Sequence, residues 1–149
     1  MTDTYPSVSL HNVAETEPVE WADGGDRLCR VPASVRESLT DMGRERLSCV
    51  SHSEVRFVPE SDDAEIEVTL STPERAEMRV FWGSFQPWQA REIGPGTETL
   101  TLSVPDRLAE LDGTVDTGRF DPRVCRLVFE RFVPVALHGV AGDCRPPEP

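Results

Sequence analysis

Hydrophobic and polar residues alternate with a period of two over most of the chain beyond residue 54. Val55 and Phe57 alternate with Glu54 and Arg56, and Ile66, Val68 and Leu70 with Glu65, Glu67 and Thr69. Met78, Val80 and Trp82 alternate with Glu77, Arg79 and Phe81, and Leu100, Leu102 and Val104 with Thr99, Thr101 and Ser103. Cys125, Leu127 and Phe129 form another run against Arg126, Val128 and Glu130, and Val133, Val135 and Leu137 form the last, against Pro134, Ala136 and His138. Each run predicts a strand with one apolar and one polar face, the signature of antiparallel sheets.

Turn residues separate these runs: Pro59-Glu60-Ser61-Asp62-Asp63, Gly94-Pro95-Gly96 and Asp112-Gly113. Earlier in the chain, Val8 and Leu10 against Ser9 and His11 predict a first short strand, and residues 27–31 a second. The stretch 15–26 is acidic and rich in turn formers and predicts no element. One helix is expected, over 32–42. Pro32 opens it, where a first helical turn needs no N–H donor. Val35, Leu39 and Met42 follow at helical spacing, and Gly43 ends it. Many short strands and one helix predict an all-β fold, an antiparallel β-sandwich of jelly-roll type with one short α-helix. A parallel sheet would require a helix between successive strands. The sandwich is expected over 1–144, with 145–149 (Arg-Pro-Pro-Glu-Pro) as a Pro-rich linker or tail that is neither sheet nor helix.

Composition narrows the function. The chain has 149 residues, the size of one domain, and a net charge of −12. Such acidity argues against nucleic-acid and anionic-membrane partners, which need clustered cations. All 15 cations are arginines, and Ile66 and Ile93 are the two isoleucines. An acidic, lysine-free chain is expected in a salt-rich cytosol, where screening relieves carboxylate repulsion. The first residues carry no basic or apolar leader pattern, and no apolar run approaches a membrane span, so a cytoplasmic location is expected.

Cys29, Cys49, Cys125 and Cys144 lie far apart, as do His11, His52 and His138. No Cys-x-x-Cys pair occurs and the histidines are scattered, so neither a metal nor a cofactor is expected. Free thiols are expected, with Cys125 in the core and Cys144 at the surface. Nucleophile-elbow spacing is absent, and Gly142-Asp143-Cys144-Arg145 runs into Pro146-Pro147, which no helix can follow. No catalytic residues are therefore expected. His138 reads as a hydrogen-bonded sheet histidine, and Glu65 and Glu67 as solvated charges.

The chain's aromatics are six Phe, three Trp and one Tyr, and four of them fall between Phe81 and Trp88. Alternation places Trp82 in the core and Phe81 on the opposite face. Gly83 is expected to bend the strand, and Pro87 to confine 85–88 to an edge or loop. Phe81, Phe85, Gln86 and Trp88 are the candidate ligand or domain contacts. Aromatic faces stack on sugar rings, and a side-chain amide reads hydroxyls. Packing at one end of the sandwich is the competing role.

The ordered set of segments resembles a known family. These are His11-Asn12-Val13-Ala14-Glu15, Arg27-Leu28-Cys29-Arg30-Val31-Pro32 with Val35-Arg36, Val55-Arg56-Phe57, and Phe81-Trp82-Gly83-Ser84-Phe85-Gln86. Together they are similar to the N-terminal β-sandwich of two-domain SGNH/GDSL-type esterases. The resemblance implies a non-catalytic accessory domain that packs on a following catalytic domain and contacts carbohydrate substrate. None of that family's catalytic serine, aspartate or histidine has a counterpart here. A stand-alone carbohydrate-binding module and a purely structural docking domain remain the alternatives.

Overall fold

The computed structural model describes residues 5–43, 52–85, 87, 89–109, 121–130 and 133–148. The expected all-β sandwich is observed: two antiparallel sheets enclose one core. The first sheet runs β1 (Ser9–His11), β4 (Glu54–Pro59), β9 (Cys125–Glu130), β6 (Ala76–Trp82) and β7 (Arg91–Ile93), with β11 (Cys144–Arg145) also paired to β4. The second runs β2 (Glu15–Val19), β3 (Ala22–Cys29), β10 (Ala136–Ala141), β5 (Ile66–Thr72) and β8 (Gly96–Leu102). Among the described residues, no helix is long and apolar enough to cross a membrane.

Alternation puts the expected side chains inside. Val55, Phe57, Met78, Cys125, Leu127 and Phe129 from the first sheet meet Leu28, Ile66, Val68, Leu70, Leu100 and Leu137 from the second. Burying a Leu- or Phe-sized side chain is worth about 1.5–3 kcal/mol, so these rows dominate the fold's stability. Trp82 joins them at 8% exposure. The Tyr5 hydroxyl reaches across to Asp26 Oδ2 at 2.9 Å and the Leu137 carbonyl at 2.7 Å, tying the N-terminal segment to the second sheet.

Several elements depart from the expected pattern. The turn-rich stretch 15–26 holds strand β2 and most of β3, paired from Glu15↔Cys29 to Val19↔Ala22. No apolar alternation marks β2. It is an edge strand, where Pro18 is tolerated, and it is fixed by charge: Glu17 pairs with Arg27 and Arg36, and Glu15 with Arg36. The last predicted strand starts later than expected, at Ala136. Its pairing with β5 shifts between Leu137 and Gly139.

The expected helix is one turn, Ala33–Arg36, rather than the run to Met42, and a second short helix that the sequence did not suggest spans Asp106–Ala109. Beyond Arg36 the bonds tighten to i→i+3, with Ser38 N–H on the Val35 carbonyl and Leu39 N–H on that of Arg36. The Ser38 hydroxyl also donates to the Val35 carbonyl, over 2.8 Å. The segment is turned inside out relative to its apolar spacing. Arg36 is buried at 8% exposure against Glu15 and Glu17, while Val35 and Met42 are exposed at 43% and 64%.

Cys29, Cys125 and Cys144 are free thiols, and Cys49 lies outside the described residues. Burial pushes the Cys125 thiol well above its usual range. Cys144 is not at the surface as expected. It is half-buried in β11 against the core, its thiol 3.7 Å from the Ser7 carbonyl. Arg145, expected in a tail without sheet, pairs with Val58. The edge of β4 left open beyond β1 accounts for both.

Candidate functional site

The outer face of the first sheet carries the most organised polar chemistry of the described chain. Register sets Ser9, Arg56, Arg126 and Phe81 in one row across β1, β4, β9 and β6. The adjoining row is His11, Glu54, Val128 and Arg79. The Glu54 side chain is only 7% exposed and accepts from two guanidinium groups. Arg126 Nε donates over 2.7 Å, and Arg56 donates through Nη2 over 2.8 Å and Nε over 3.3 Å. Burial acts to raise the Glu54 pKa. The hydrogen bonds and charges of Arg56 and Arg126 together outweigh it and hold the carboxyl below its ordinary range. Along the same face Arg79 Nε donates to Glu130 over 2.6 Å.

Arg126 links this carboxylate to the aromatic segment. Its Nη1 donates to the Gly83 carbonyl over 3.0 Å, and its guanidinium carbon lies 5.0 Å from the centroid of Phe81. Phe81 is thus half-buried beneath a cation. Trp82 and Phe85 exchange backbone hydrogen bonds of 3.3 and 3.0 Å around Gly83-Ser84, which closes a tight hairpin turn. Gly83 has φ 61°, and a Cβ there would stand 2.8 Å from the Asp121 carbonyl oxygen, so glycine is required. The expected bend is therefore a full reversal. It leaves Phe85 46% exposed at the end of β6. Gln86 and Trp88, the other two candidate contacts, lie outside the described residues.

Ser9 and Arg56 also border an open cleft of about 900 Å³ beside this face, together with Arg123, Arg145 and the loop 59–62. Two of its cations, Arg123 and Arg145, are held by acids on its own walls. Arg123 bonds Asp62 in fork geometry at 2.9 and 3.3 Å, and Arg145 lies 3.7 Å from Glu60. Mixed, internally compensated charge of this kind suits a polar or protein partner better than a free anion.

The second sheet supplies one arrangement that the sequence did not reveal. Ser71 Oγ sits 2.5 Å from His138 Nε2 and 2.6 Å from Thr97 Oγ1. Ser71 is only 1% exposed, so its hydroxyl cannot meet a substrate carbonyl. The geometry is that of a satisfied sheet histidine, not a nucleophile and its base. Glu65 and Glu67 are exposed, and no cluster of metal-ligating side chains forms among the described residues.

No family model matches the sequence, and comparison with curated proteins gives no match. A solved structure shares the fold. A salicylyl-acyltransferase from a tetracycline biosynthetic pathway superposes with a TM-score of 0.68 at 14% identity, over 100% of this chain and 42% of that one. A family two carbohydrate esterase from Clostridium thermocellum, solved with cellohexaose, gives 0.48 at 14% identity over 95% of this chain and 34% of that one. The chain thus spans less than half the length of these structural neighbours.

Proposed function

We propose that this chain is a non-catalytic accessory β-sandwich that packs on a catalytic domain of the SGNH/GDSL esterase class. The observation that supports this most is the extent of the acyltransferase match: the whole of this chain against 42% of the other. The outer face of the first sheet is the contact surface in this reading. Phe81 and Arg126 give it a rigid centre and the charged cleft beside Ser9 and Arg56 a polar rim, while Phe85 adds an exposed aromatic ring at the hairpin end of β6. Gln86 and Trp88, the other contacts expected from the sequence, belong to the same proposal. Carbohydrate contact belongs to the same surface, because an exposed ring beside polar groups suits a sugar face. The acidic, lysine-free composition supports a salt-rich cytosol as its setting.

Two measurements test the reading. The chain alone should hydrolyse p-nitrophenyl acetate no faster than a heat-treated sample. Hydrolysis that disappears in His138→Ala would overturn the accessory role. Calorimetric titration with cellohexaose should show binding that Phe85→Ala weakens. Binding unaffected by that change would remove the sugar contact from this face.

A further inference from the structure

Among the described strands, β8 forms one edge of the second sheet, and it lacks the features that usually block pairing with another strand. It pairs with β5 over seven consecutive residues, Thr72↔Gly96 to Ile66↔Leu102, with no shift of register. Natural edge strands are usually short, bulged, charged or interrupted by proline. The neighbouring edge of the first sheet follows that rule, since β7 has three residues, of which Arg91 and Glu92 are exposed charges. β8 has no proline or bulge, and Glu98 is its one charge. Among the described strands, none pairs with its outer side.

The side chains of β8 show what would fit there. Thr97, Thr99 and Thr101 stand exposed on one face. Two of them already bond hydroxyls on β5, Thr99 to Thr69 at 3.0 Å and Thr97 to Ser71 at 2.6 Å. A hydroxyl both donates and accepts, so a row of threonines complements a second copy of itself, which a charged row cannot do. A foreign peptide strand would instead draw specificity from pockets for its alternate side chains. Neither the Arg56 cleft nor the smaller cleft beside Tyr5 and His138 borders β8.

We infer that β8 is a homodimer edge: two copies pair antiparallel through it about a two-fold axis at Thr99. This sets Thr99 opposite the partner's Thr99, and Thr97 opposite the partner's Thr101. A hydroxyl row then runs unbroken from Thr69 through both Thr99 residues, and the two five-stranded sheets become one. Each copy carries a net charge of −12, so pairing strengthens as salt screens the repulsion. This inference is independent of the accessory-domain reading.

Sedimentation equilibrium in about 2 M KCl, from about 10 μM to about 1 mM protein, should show a monomer–dimer equilibrium. Thr99→Lys places two like charges on the axis and should raise the dissociation constant at least about tenfold while leaving the circular dichroism unchanged. Residues directly opposite in an antiparallel ladder have Cα atoms about 4.5–5.5 Å apart, which a disulfide can bridge. Thr99→Cys should therefore form an oxidised dimer that Thr97→Cys and the native chain do not. A monomer throughout the range, a Thr99→Lys variant that pairs as the native chain does, or equal bridging by Thr97→Cys would each overturn the inference.

Discussion

Arg126 Nε donates to Glu54 Oε1 over 2.7 Å, across the register that pairs β4 with β9. The bond secures the least exposed carboxylate on the outer face of the first sheet, and it makes the fold sensitive to acid. The folded-state pKa of Glu54 lies below its ordinary value. The stabilisation is thus fully present above the unfolded value of about 4.3 and is lost as pH falls through the folded one. Glu54→Gln removes the charge that two guanidinium groups share and should cost about 3 kcal/mol near neutrality. Urea melts at pH 7 and about pH 2 check this, because the loss lies below the unfolded value: the variant should lose less stability than the native chain on acidification. Equal acid sensitivity would show that Glu54 is not the titrating group.

Trp82 and Phe85 are neighbours across a two-residue turn with opposite fates. Trp82 is 8% exposed in the core, and Phe85 is 46% exposed at the turn's far side. Trp82→Ala should destabilise the chain by about 3–5 kcal/mol. Phe85→Ala should change stability by less than about 0.5 kcal/mol, as an exposed side chain that supports little packing. Urea melts of the two variants distinguish them, and a large loss in Phe85→Ala would make the whole segment core.

What was legible in the sequence was the part governed by burial. The alternation of Val55 and Phe57, or of Ile66, Val68 and Leu70, is forced by a sheet with one dry face, so the strands and the sandwich could be read directly. Strand β2 could not, because Glu15 and Glu17 are held by Arg27 and Arg36 rather than by an apolar face. The helix was overread for a related reason: Val35, Leu39 and Met42 have helical spacing, but the buried side chain is Arg36. The organised face was hidden by distance along the chain. Glu54 and Arg126 are 72 residues apart, and Ser71 and His138 are 67 apart. Only register brings them together, and periodicity carries no information about register between strands.

Salt dependence follows from charge alone. With 27 acidic residues against 15 arginines, self-repulsion opposes the compact state at low ionic strength. Raising salt shortens the screening length from about 10 Å at 0.1 M to about 3 Å at 1 M. The thermal midpoint should therefore rise substantially between about 0.1 M and 2 M KCl. A midpoint independent of salt over that range would remove the salt-rich setting from the argument.

On the second sheet Gly25 packs directly against the ring of His138. A Cβ built on Gly25 would stand 2.9 Å from Nε2 and 3.0 Å from two ring carbons of His138. The ring cannot simply lift away, because Nε2 is bonded to the Ser71 hydroxyl, which in turn meets Thr97. Gly25→Ala therefore has to displace the imidazole and leave the buried Ser71 hydroxyl with a poorer partner. The combined overpacking and lost hydrogen bond should cost about 1–3 kcal/mol. The cause is testable by a double-mutant cycle. In His138→Ala the ring is gone, and Gly25→Ala should then cost much less, giving a coupling of about 1 kcal/mol or more. Additive losses would mean that the methyl group disturbs the β3 backbone rather than the histidine, and that the Gly25–His138 contact does not constrain this position.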